Sequence, residues 1–167
     1  MIRTLSDFEH LWSAELERTQ KVFKHLTNDS LTRVIHPDVR TLGRLAWHIT
    51  TTIADMSQKM GLTLRGPQEN DPIPATAKDI FKGYSDLAIS LLEEVKKNWT
   101  DATLEIVDDM YGRKMKRGES LQTLITHQIH HRGEMIVLMR IAGLAVPGLY
   151  GPTREEWAQY GMQPPEV

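Results

Sequence analysis

The sequence has 167 residues, of which 40% are hydrophobic and 25% are charged, and its formal net charge is −2. This length and composition predict one globular domain, residues 1–167, with a hydrophobic core. A chain this close to neutrality is not expected to bind nucleic acid, and its most basic stretch, residues 113–117, is interpreted as a solvated turn. The absence of cysteine excludes a disulfide scaffold, a thiolate metal site and a cysteine nucleophile.

Apolar runs in this sequence are short. None approaches the length that a bilayer-spanning helix needs, and the first residues lack the apolar core of a signal peptide. We therefore expect a soluble, cytoplasmic protein with no membrane partner.

The first two helices are predicted from apolar residues that recur with the helical period. The first should open at a capping box formed by Ser6 and Glu9 and end near Asn28. The second should follow Asp38 as its N-cap and end at Gly61.

The third and fourth helices follow from the same pattern. The third is predicted from Thr76 to about Trp99, after a loop rich in glycine and proline. The fourth is predicted from about Ser120 to Ala142. Four amphipathic helices around one core predict an all-α protein, a four-helix bundle of the up-down type.

Two further segments connect or follow these helices. Residues 100–119 are predicted to be irregular, with a short extended piece and a turn at Gly112 that could cover a pocket. A short last helix is expected at residues 155–160, where Trp157 would dock back onto the bundle.

Two of the seven histidines are distinguished by their spacing on the fourth predicted helix. His127 and His131 are four residues apart, so their side chains should lie on one face, about one turn from each other. This spacing allows two imidazoles to bind one metal ion, as in His-x-x-x-His sites on helices. The alternative is a pair of surface histidines, since the same spacing arises by chance on many helices.

Rotation about the helix axis separates the candidate ligands from the other histidines. At about 100° per residue, His127, His131 and Glu134 fall on one flank of the apolar stripe of the fourth helix. His130 points away from the core and should be exposed. His48 falls on a flank of the second helix, where bundles build metal sites, although a packed core histidine is the alternative. Structural roles are assigned to the remaining histidines, His10, His25 and His36.

Two segments resemble the DinB family, a family of bacterial four-helix bundles. They are residues 42–49, around His48, and residues 127–135, which contain a His-x-x-x-His-Arg-Gly element. The resemblance extends over nearly the whole chain. It implies a divalent metal ion, often zinc or nickel, held by His48, His127 and His131, and it implies a homodimer.

The same resemblance suggests an activity. Three imidazoles leave at least one coordination position open for water or a thiolate. The superfamily includes metal-dependent thiol transferases and is similar to thiol-dependent maleylpyruvate isomerases, which implies an enzyme of detoxification or stress response. Its partners would be a low-molecular-weight thiol and an electrophilic small molecule, with metal-dependent hydrolysis as another activity. A non-catalytic metal-binding stress protein or dimeric interaction module, and a metal-free bundle, stay open as alternatives.

A few other side chains are candidates for supporting roles. Glu134 and Glu15 could each orient a ligating imidazole through its second nitrogen, or they could be solvated charges. Tyr84 could line a pocket or belong to the core. The candidate aromatic residues for a dimer interface are Trp12, Trp47 and Trp157.

Overall fold

The structure, a computed structural model, describes residues 2–166, and within this range it is mainly helical. Its α-helices are α1 (Leu5–Phe23), α2 (Asn28–Leu31), α3 (Leu42–Lys59), α4 (Ala77–Asn98) and α5 (Arg117–Ile141). An antiparallel hairpin, formed by β1 (Val107–Met110) and β2 (Arg113–Lys116), lies between α4 and α5 in the chain. The prediction of an all-α bundle is confirmed by the four long helices.

The long helices surround one hydrophobic core. Helix α3 packs against α4 and α5, and α1 packs against the same two helices, so α1 and α3 lie diagonally across the bundle. Burial of apolar surface stabilises the folded state by about 25 cal/mol per Å². The helices therefore turn their apolar faces into this core, which determines how α3 and α5 are rotated toward each other. Among its fully buried side chains are Trp12, Ile53, Leu87, Leu91 and Leu121.

Helix α1 differs from its prediction at both ends. Its N-cap is Thr4 and not Ser6: the Thr4 hydroxyl accepts the Asp7 backbone N–H at 3.1 Å, and the Asp7 carboxylate accepts the Thr4 backbone N–H at 3.0 Å. A Thr-x-x-Asp box thus satisfies free N–H groups of the first turn, and the helix begins two residues earlier than expected. The helix ends at Phe23, before its predicted end near Asn28, and Thr27 then caps the separate short helix α2.

Helix α3 begins later than predicted. Its N-cap is Thr41, whose side chain accepts the Arg44 backbone N–H at 3.2 Å, whereas Asp38 lies in an exposed turn outside the helix. Both residue types are good N-caps, so the sequence is compatible with a helix start at either position. Burial of Leu42 favours the later start. The later start places Arg40 just outside α3.

The predicted irregular stretch is more ordered than expected. It contains a 3-10 helix (Asp101–Glu105), the β1–β2 hairpin and the first residues of α5. The hairpin turns at Tyr111 (φ 55°) and Gly112 (φ 81°), the left-handed pair that a tight hairpin turn requires. The Tyr111 hydroxyl donates to the carboxylate of Asp55 on α3, which holds the turn against the bundle.

The basic stretch 113–117 is strand and helix start, not a turn, and its charges are largely paired. Arg117 donates to the Asp108 carboxylate at 2.7 Å and lies 5.0 Å from the centre of the Trp99 ring. These partners offset most of the positive charge of the stretch. The other ion pairs are Lys114–Asp109 and Lys116–Glu105.

The tryptophans are mostly inside the molecule. Trp12 is 0% and Trp47 is 4% exposed, so the prediction that they supply a dimer interface is wrong. Trp157 is half-buried and opens a 3-10 helix, Trp157–Tyr160, where a short helix was expected. No helix of the described chain is both long and apolar enough to cross a membrane.

Two glycines on the helices that carry the histidines differ in their surroundings. A Cβ on Gly43 would lie 2.8 Å from the backbone oxygen of Leu31, whereas a Cβ on Gly133 would meet no atom of the described residues within 4 Å. We expect Gly43→Ala to lower the free energy of unfolding by about 1–3 kcal/mol through overpacking. Gly133→Ala should raise it by about 0.5–1 kcal/mol because alanine favours the helix.

Urea unfolding of both variants followed by circular dichroism measures these effects. Equal destabilisation by the two substitutions would contradict the close approach of α2 to α3 at Gly43.

Candidate metal centre

Three imidazoles meet where α3 faces α5. His48 comes from α3, and His127 and His131 come from successive turns of α5. The Nε2 atom of His127 lies 3.1 Å from the Nε2 atom of His48 and 3.1 Å from that of His131. The predicted set of three is therefore brought together, with His131 9% exposed and the other two rings half-buried.

The rotation of α5 is fixed by the residue that follows His131. Arg132 is 1% exposed and donates to the Glu15 carboxylate at 2.5 Å and to the Thr19 hydroxyl at 2.9 Å, both on α1. It also donates to the Tyr150 hydroxyl at 2.6 Å, which ties α5 to the C-terminal segment. Because Arg132 points toward α1, the neighbouring histidine points toward α3.

Glu15 therefore does not orient a ligating imidazole, as one prediction proposed. Its carboxylate accepts hydrogen bonds from Arg132, from the Tyr150 hydroxyl at 2.7 Å and from Arg18 at 2.6 Å. Burial alone would raise the pKa of Glu15, but these donors outweigh it and the pKa is lowered, so the carboxylate stays charged. Tyr84 is fully buried, donates to Gln128 at 2.9 Å and belongs to the core rather than to a pocket wall.

Glu134 lies beside the histidines, as predicted. Its Oε2 atom is 2.6 Å from Nδ1 of His131. A carboxylate can only accept here, so Nδ1 of His131 donates this hydrogen bond and Nε2 faces the other imidazoles. The hydrogen bond with His131 lowers the pKa of Glu134, which keeps it ionised.

The surroundings favour neutral imidazoles. Burial, followed by the positive charge of Arg40, lowers the pKa of His48 to about 4. Burial, followed by the neighbouring His131, lowers the pKa of His127 to about 4. Both rings are thus unprotonated at neutral pH, which is the state that binds metals.

The spacing of the nitrogens fits a divalent metal ion. Two imidazole nitrogens bound at about 2.0–2.1 Å to a tetrahedral zinc lie about 3.3 Å apart. The Nε2 separations of 3.1 Å match that value closely. A single hydrogen on Nε2 of His127 can be donated to only one of the two neighbouring Nε2 atoms. Hydrogen bonds between neutral rings therefore explain the two short distances less well than a cation bound by all three rings does.

The other histidines lie outside the cluster. His130 has a side chain 67% exposed, as predicted from its rotation away from the core. His25 caps its own helix through an Nδ1 contact of 2.8 Å to the Lys21 carbonyl, and His10 and His36 are exposed. These three residues therefore do not contribute to the cluster, and their structural roles stay a prediction.

Two cavities open beside the cluster, one on each side of His48. The first, about 390 Å³, lies under the hairpin and is partly lined by the apolar side chains Met56, Met110 and Met115. The second, about 380 Å³, is polar and contains Arg40 and Arg44. The walls that the two cavities share are formed by His48 and Glu69.

Sequence reasoning missed the arginines of the second cavity. Arg44 and His48 are four residues apart, so their common face could have been recognised by the same rule that paired His127 with His131. Arg40 carries no such signal because it precedes the helix, and Glu69 comes from a loop whose position is set by tertiary contacts.

Comparison with known proteins gives consistent results. The model of the DinB family matches residues 1–166. The protein YrdA of Bacillus subtilis (strain 168) is 41% identical over 167 residues, which is 100% of both chains. A crystal structure of a DinB-like protein from Bacillus cereus ATCC 10987 is similar at a TM-score of 0.86 and 44% identity, covering 90% of this chain and 100% of that chain.

A more distant crystal structure, of the DinB-like protein YjoA from Bacillus subtilis, has a TM-score of 0.67 at 17% identity, covers 88% of this chain and 99% of that chain, and supports the fold alone. The family match extends over nearly the whole chain, and the similarity to YrdA extends over all of it. The bundle with its cluster of histidines from α3 and α5 therefore belongs to a member of the DinB family.

Proposed function

We propose that this protein binds one divalent metal ion on His48, His127 and His131. The observation that carries the proposal is the convergence of three Nε2 atoms, at 3.1 Å between neighbours, together with the burial that keeps the His48 and His127 rings neutral. Glu134 would hold the His131 ring in the orientation that ligation requires. Zinc and nickel both suit imidazole ligands.

An activity follows from the incomplete ligand set. When bound, the metal would supply a Lewis acid with a position left for water or a thiolate, since a structural zinc site is normally closed by four protein ligands. Two cavities adjoin the histidine cluster, and they give a second molecule room to approach His48. This favours an enzyme over a sealed, non-catalytic metal site.

The reaction that we propose is transfer of a small thiol to an electrophile. The thiol loses its proton to water, its sulfur attacks the electrophilic carbon, a C–S bond forms, and the leaving group departs with its bonding electrons. The residues of the chain hold the thiol beside His48 and keep the electrophile in the methionine-lined cavity.

The test begins with the metal content of protein purified without an affinity tag. We expect about one equivalent of metal per chain, removed by a chelator and restored by zinc or nickel. Conjugation of a small thiol with 1-chloro-2,4-dinitrobenzene, followed by absorbance, should appear with the restored protein and be absent from a His127→Ala/His131→Ala variant. Metal binding without turnover would support the non-catalytic module, and absence of metal after supplementation would contradict the site itself.

The contact between Glu134 and His131 gives a separate prediction. Glu134→Gln should weaken metal affinity by about 10–100-fold, because a neutral amide holds the imidazole less strongly than a carboxylate does. Competition with a chromogenic chelator measures the affinity. The control is Glu93→Gln, which changes an exposed glutamate of α4 and should leave the affinity unchanged. Equal affinities of the Glu134→Gln variant and the parent would show that the carboxylate does not orient the ring.

A further inference from the structure

Two arginines at the start of α3 lie beside the histidine cluster. Arg40 and Arg44 form none of the ion pairs found within residues 2–166. Both line the polar cavity of about 380 Å³ that His48 also lines. Arg44 and His48 are one helical turn apart on the same face of α3. Two guanidinium groups are therefore available to a ligand at this position.

The remaining walls of this cavity are polar and held in place. The Trp47 indole N–H donates to the Asp71 carbonyl at 3.0 Å, which keeps the loop that carries Asn70 and Glu69 against α3. The formal charges around the cavity are two positive arginines and one negative glutamate, Glu69. Glu69 forms none of the ion pairs found in the described part of the chain. The lining thus has a net positive charge.

The chemistry of the arginines selects the kind of ligand. A guanidinium is planar, permanently charged and carries several N–H donors, which match the oxygens of a carboxylate or a phosphate. The cavity on the other side of His48 has charged residues in its lining too, but its three methionines give it a mainly apolar surface that suits an apolar group. A ligand bound at the histidines therefore has a charged neighbour on one side and an apolar neighbour on the other.

We propose that Arg40 and Arg44 form an oxyanion-binding subsite, so that the ligand of this protein is a small molecule with a carboxylate or phosphate group near its metal-binding atom. This inference rests on the proposed metal site, because that site determines where the metal-binding atom of the ligand lies. The arginines act on the oxyanion, so their contribution is separable from that of the histidines.

Calorimetric titration of zinc-loaded protein with 3-mercaptopropionate and with its neutral amide tests the subsite. The acid should bind at least about 10-fold more tightly than the amide, since charge-assisted hydrogen bonds are stronger than hydrogen bonds between neutral groups. Arg40→Gln/Arg44→Gln should abolish this preference while leaving amide affinity and zinc content unchanged. The control is Arg65→Gln, which changes an exposed arginine away from the cavity and should retain the preference.

Equal binding of the acid and the amide by the parent would overturn the proposal, and so would a preference that survives the double substitution. If the parent holds no zinc, the proposed metal site fails, and titration of the metal-free protein with succinate against succinamide then decides the arginine subsite alone. Inorganic phosphate, added as a competitor, distinguishes a phosphate group from a carboxylate as the preferred oxyanion.

Discussion

His131→Ala is expected to abolish high-affinity metal binding, whereas His130→Ala should leave it intact. The two residues are adjacent in sequence, but the His131 ring lies in the cluster and the His130 side chain is 67% exposed. Loss of a ligand should weaken affinity by more than the roughly 10–100-fold that loss of a ligand's hydrogen-bond partner causes. Competitive titration with a chelator, at equal protein concentrations, measures both variants against the parent.

The neighbouring substitution makes this comparison specific. Both variants remove one imidazole from the same turn of α5, so they change helix propensity and net charge alike. Thermal unfolding of the metal-free proteins confirms that each variant is folded. Equal loss of metal in the two variants, or retention in both, would contradict the proposed ligand set.

Arg132→Met is expected to lower the free energy of unfolding by about 3 kcal/mol, because it leaves the buried Glu15 carboxylate without its main partner. Arg132 is 1% and Glu15 is 5% exposed, and their side chains approach to 2.5 Å. Arg18 remains as a second cation at 2.6 Å from Glu15. The expected loss of stability is therefore at the lower end of the range for breaking a buried ion pair. Urea unfolding of the metal-free protein measures this effect.

A double variant separates the loss of the charge pair from the loss of packing. Glu15→Leu/Arg132→Met removes both charges, and it should be clearly more stable than Arg132→Met alone, since apolar replacement of a buried pair is often neutral. We also expect Arg132→Met to weaken metal binding, because the guanidinium contacts with α1 set the rotation that brings His131 toward α3. Parent-like stability of Arg132→Met would show that this buried pair does not anchor α5.

Helix periods and capping residues are local properties, and they were sufficient to predict the long helices. The apolar stripes gave α3, α4 and α5 to within a few residues of their observed ends, apart from the start of α3. That start was misplaced because Asp38 and Thr41 are both suitable caps, and only the burial of Leu42 against the rest of the bundle distinguishes them. A short extended piece and the turn at Gly112 were predicted, but the pairing of two strands was not, because the strands are short and largely exposed, without an alternating apolar pattern.

By itself, the sequence determined that His127 and His131 share one face of a helix, because residues four apart in a helix lie on the same face whatever the helix packs against. It could not decide the partners of Glu15, which depend on how α1 meets α5 and the C-terminal segment. Only the tertiary structure brought His48 within 3.1 Å of His127 and placed Arg40 in the same cavity. Contacts of this kind join residues far apart in the chain, and they are set by burial of the common core rather than by any local pattern.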